Sequence, residues 1–100
     1  MTTGIDHRKT AEDRLQTLVQ SVQGHPRTDD LTRFLEECEA LAVAIRAFHM
    51  EAIRFRMFNV DRMIHKGIVT LSDEDRTAFA DVRRHLESAG FHTRSHQAPR

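Results

Sequence analysis

Tryptophan and tyrosine are absent from this sequence of 100 residues, which holds one cysteine, two prolines and four glycines. The single thiol, Cys38, excludes an internal disulfide and fits a reducing compartment. The only aromatic residues are six phenylalanines. With no polar handle on the ring, they serve packing better than hydrogen-bonded recognition. Net charge is missing as well: 15 basic residues balance 15 acidic ones, so nothing draws the whole chain toward nucleic acid or acidic lipid. No apolar run approaches the ~20 residues of a membrane span. Residues 1–10 are too polar for a signal peptide. The expectation is a cytoplasmic protein with no membrane partner. Basic residues divide into 13 Arg and 2 Lys, a usage that points to a GC-rich, bacterial coding sequence. Strand signals are confined to Ile68-Val69-Thr70, too short for a sheet.

What remains is helical. Ala11, Leu15, Leu18, Val19 and Val22 recur at helix spacing across residues 6–23, and Gly24-His25-Pro26 ends that run. Thr28 is an N-cap, with Asp29 and Asp30 at the positive end of the dipole. From there to Lys66 and Gly67 no proline or glycine intervenes, and one helix is expected over 28–66. A connector with apolar residues follows. Ser72 and Asp75 then form a capping box that opens a helix over 72–89, on which Phe79, Val82 and Leu86 make a stripe. Gly90 closes that helix, and Phe91 can fold back on its last turn. The expected architecture is all-α: three helices, up-down-up, in one domain over 1–91. Residues 92–100 make a polar, basic tail expected to be disordered.

Two stripes on the long helix carry the functional reading. Leu31, Phe34, Cys38, Leu41, Ile45, Phe48, Ala52 and Phe55 keep heptad order, and the seam turns polar at Asn59 and Arg62. In the second half only, Met50, Ile53, Met57, Val60 and Ile64 form another stripe, roughly 150° around the helix at ~100° per residue. A helix of about 58 Å flanked by two of about 27 Å leaves one of these faces bare. Phe48, Met50, Ile53, Phe55, Met57, Val60 and Ile64 are therefore the expected dimer interface. Charge sets the orientation. Residues 28–44 hold five acids against one Arg, and residues 45–66 five bases against two acids. A second copy running antiparallel places unlike charges side by side.

Candidate chemistry is sparse. His49 and Arg56, with Asn59 and Arg62, could hold a small anionic ligand, although polar seam residues more often fix register. Asp61/His65 and Asp81/His85 each place a carboxylate and an imidazole on one helix face at i, i+4, which could converge on a metal or serve only as surface ion pairs. Cys38 has no base at local spacing and reads as an inert core thiol. Methionines of the long helix could line an adaptable groove or simply fill a core. No sequence-specific nucleic-acid motif is present, and no cofactor is indicated. The expected function is a non-enzymatic, homodimeric interaction or regulatory module. The alternative is a small-ligand or metal-binding bundle, enzymatic or not, built on the same histidines and arginines.

Overall fold

Although nothing in residues 28–66 obliges a helix to stop, the chain reverses in the middle of that segment. The computed structural model describes residues 6–91 and contains four helices: α1 (His7–Gln23), α2 (Asp29–Arg46), α3 (Met50–His65) and α4 (Asp73–Ser88). The expected long helix is α2 plus α3, so three helices become four. No strand occurs among the described residues. The tail expected at 92–100 and the first five residues lie outside them.

Most boundaries follow from local chemistry. Asp6, Thr28 and Ser72 cap α1, α2 and α4, each side chain accepting from the backbone N–H three residues on, at 3.0–3.1 Å. Asp75 returns the favour to the Ser72 N–H at 3.4 Å, completing the capping box. Gly67 and Gly90 close α3 and α4 in left-handed conformations, φ 74° and 99°, which a side chain would resist. Phe91 does fold back: its N–H donates to the Leu86 carbonyl at 2.9 Å, and its ring is buried. Gly24 behaves differently from expectation. It is right-handed at φ −77°, and Pro26 two residues on does the terminating.

The end of α2 has the same left-handed closure, built without glycine. The His49 N–H donates to the Ala44 carbonyl and the Phe48 N–H to the Ile45 carbonyl, both at 3.1 Å. This requires φ +55° at Phe48, a conformation that costs a bulky residue about 1–2 kcal/mol. His49 then caps α3, its Nδ1 accepting from the Ala52 N–H at 3.2 Å.

The gain lies in the phase of the helix. Helical steps from Ile45 lead to Ala52, Phe55 and Asn59, but the turn rotates the next helix so that Ile53, Met57 and Val60 are fully buried instead. Met50 and Ile64 pack against the same core from its edge. Burying three such side chains contributes about 1.5–3 kcal/mol each, which exceeds the strain at Phe48. The stripe of α3 expected to face a second chain thus belongs to the core of its own. Phe48 and Phe55, the other members of that expected interface, are 62% and 44% exposed.

Helix directions follow from the ion pairs. Arg14–Asp81 at 3.1 Å, with His7 against His85, sets α1 antiparallel to α4. The three-residue turn between Arg46 and Met50, with Glu37 bonded to Arg56 and Asn59, sets α2 antiparallel to α3. The acidic and basic halves do lie side by side, within one chain. Helix α1 packs on both α4 and α2, so the last helix leans chiefly on the first. Phe48 comes to rest between the start of α1 and the residues after α4, with the Arg8 guanidinium 4.4 Å from its ring centroid and the Phe91 ring centroid at 6.5 Å.

This phase can be checked by substitution. Ile53→Ala should lower the urea midpoint by the equivalent of about 2–5 kcal/mol. Phe55→Ala should cost less than about 1 kcal/mol in the same measurement, because the ring lies outside the core.

Candidate functional site

Three clefts collect the residues that could act on another molecule. The first lies at the closed end of the α2–α3 hairpin. Ala40, Val43, Ala44, Ala47 and Ala52 form an apolar groove of about 330 Å³, with His49 and Arg56 at its edge. The two residues singled out by sequence therefore share one groove, and it is open to solvent rather than central. His49 is exposed and its Nδ1 is engaged as a helix cap, so the lone pair that could bind a ligand already holds the backbone. Arg56 is held by Glu37 at 3.1 Å and lies over the Phe55 ring at 5.2 Å.

The second cleft, about 240 Å³, is lined by Glu37, Asn59, Arg62, Met63, Lys66 and Ile68. Glu37 is its organiser. One carboxylate oxygen accepts from Asn59 Nδ2 at 2.9 Å and from Arg56 Nη1 at 3.1 Å. Asn59 and Arg56 thus lock the register of the hairpin, the structural role that polar seam residues commonly have. Arg62 and Lys66 are exposed, and neither has an ion pair among the described residues. The sequence reading missed Glu37 as an individual. The opposed charges of the two halves were the available signal.

The Asp/His pairs go separate ways. His65 is mostly exposed, with its Nδ1 3.4 Å from Asp61, which also reaches Arg83 at 3.6 Å. Asp81 accepts from Arg84 at 2.6 Å and from Arg14 at 3.1 Å. The hydrogen bond from Arg84 leads the effects that hold its carboxyl below the ordinary range. His85 faces His7 across α1 and α4, the two Nδ1 atoms 2.9 Å apart. Among the described residues no group of three or more His, Cys, Asp or Glu is placed to hold a metal ion. A third cleft, about 460 Å³, runs past these pairs and is lined by Asp61, Phe79 and three arginines, Arg76, Arg83 and Arg84. Sequence reading left those arginines aside. Cys38 is fully buried, and burial pushes its thiol up to about 12, which leaves it unreactive at neutral pH.

Comparison with protein families, curated proteins and solved structures returned no match. No helix among the described residues is long and apolar enough to cross a membrane. The case for function therefore rests on the surfaces of this chain alone.

The His7–His85 contact has a pH consequence. One Nδ1 must donate and the other accept, so the contact requires an unprotonated ring nitrogen. Desolvation, then Arg84, His7 and Arg14, lower the His85 pKa against a weaker opposing pull from Asp81. A depressed histidine leaves the folded state most stable above the unfolded value of about 6.5 and weakens it as pH falls below. Thermal midpoints should drop from pH 7 toward 5, and His85→Gln should flatten part of that slope.

Proposed function

We propose that the protein is a non-enzymatic interaction or regulatory module of a bacterial cytoplasm, and that its partner is a second copy of itself. The observation that supports this reading is the exposure of three large apolar side chains on α2, α3 and the turn between them. Val43 is 51% exposed, Phe48 62% and Phe55 44%, beside the alanine-lined groove. Large apolar side chains this exposed favour a partner site, since each forgoes part of its burial energy. Charge favours an antiparallel copy. Glu36 on α2, Arg62 on α3 and Lys66 at its C-cap are exposed and have no ion pair among the described residues. A twofold axis brings such opposite groups together, whereas a parallel pairing opposes like charges.

Size exclusion with light scattering on the full chain tests this reading. The expected mass is twice 11.6 kDa at micromolar concentration and above. A monomer at every concentration would sink it.

A second reading draws on the cleft of Arg62 and Lys66. Two cations with no ion pair among the described residues, beside Met63 and Ile68, suit a small anion with an apolar portion. A ligand of that class should raise the thermal midpoint with concentration, and Arg62→Ala should remove the rise. A metabolite panel with no shift would leave this cleft without a role.

A further inference from the structure

We propose that the α2–α3 turn is a hinge through which two copies of this chain exchange halves. The turn opens, residues 28–66 become one helix, and α1–α2 of each copy takes up α3–α4 of the other. This rests on the self-association proposed above and specifies its mechanism.

The first support is the hinge itself. Ala47-Phe48-His49 contains neither glycine nor proline, and the closed turn holds Phe48 at φ +55°. Ala47 is already right-handed at φ −87°, so only Phe48 and His49, the latter at φ −96° and ψ 96°, must rotate to join the two helices. Opening removes the left-handed strain and replaces a histidine cap on the Ala52 N–H with an ordinary helical bond from that group to the Phe48 carbonyl. Short hinges under strain invite exchange of this kind.

The second support is that, beyond the contacts of Phe48 with Arg8 and Phe91, the packing partners stay the same. The bonds of Glu37 to Arg56 and Asn59, and the Arg14–Asp81 pair, re-form between copies with the same partners. The balance between closed monomer and exchanged dimer is then set by the hinge and by protein concentration.

The third support is the pair of exposed rings. Phe48 and Phe55 are seven residues apart, and in a continuous helix they extend the buried seam of Phe34 and Leu41. Two long helices crossing antiparallel near residue 48 would bring these rings together at the twofold axis. In the closed chain they stay 62% and 44% exposed, Phe48 beside Arg8 and Phe91 and Phe55 under Arg56.

The test is light scattering on the full chain after refolding from urea at high protein concentration, with circular dichroism confirming helix content. Wild type should give monomer and a slowly exchanging dimer. Phe48→Leu keeps the left-handed penalty and an apolar side chain at the dimer seam and improves helix propensity, so the dimer fraction should rise severalfold. A Gly-Ser-Gly insertion between Phe48 and His49 relaxes the closed turn while keeping the ring, and the dimer should vanish. Phe48→Gly should also lower the dimer fraction, which covers an insertion that fails to fold. If the insertion variant dimerises like wild type and Phe48→Leu gives no increase, self-association stands through the surface rings and the exchange is overturned. Wild type that stays monomeric after such refolding overturns both.

Discussion

The reversal at residues 47–49 is the constraint on which the rest of the chain depends. It turns a segment with every local reason to be one helix into two, and it does so through a phenylalanine in a glycine's conformation. The strain is outweighed only because the turn rotates Ile53, Met57 and Val60 into a core shared with Phe34, Leu41 and Ile45. Without it α3 would present its apolar stripe to water. The strained φ and the buried stripe are two sides of one balance, and neither makes sense alone.

Electrostatics follows the same turn. The acidic first half and basic second half oppose each other once the hairpin closes, and Glu37 gathers Arg56 and Asn59 on one carboxylate. Such partly exposed pairs add little energy individually. Their value is geometric, because a one-turn slip of α3 along α2 would separate the acceptor from both donors. The remaining arginines serve α1 and α4 in the same manner, with Arg46 on Glu12 at 2.8 Å and Arg14 on Asp81.

Local signals were legible in the sequence, and the tertiary override was not. Thr28, the Ser72–Asp75 box, Gly67 and Gly90 each announce a boundary through groups that bond within a few residues, and each boundary stands where those groups place it. At Ala47-Phe48-His49 the one such group is the His49 imidazole on the Ala52 N–H, a residue type that does not announce a helix start. The break is stabilised by distant residues packing together, so propensity could not reveal it. It did leave one trace: a stripe that shifts around the helix axis halfway along. That shift can mean two covered faces or one covered face interrupted by a turn, and the spacing alone does not choose. The same ambiguity carried Met50, Ile53, Met57, Val60 and Ile64 into an expected interface, when three of them are fully buried and the other two line the core's edge. The Asp/His pairs were legible as pairs, but the arginines that occupy Asp61 and Asp81 come from other turns and another helix.

Cys38 acquires a use from its position on α2, one residue from the Glu37 that fastens α3. The thiol is fully buried in the closed hairpin and held protonated there by its surroundings. Reagents can reach it only when the packing over α2 parts, so its modification rate measures how often the protein opens. The molecule carries one thiol, and that thiol works as a clock for the hairpin.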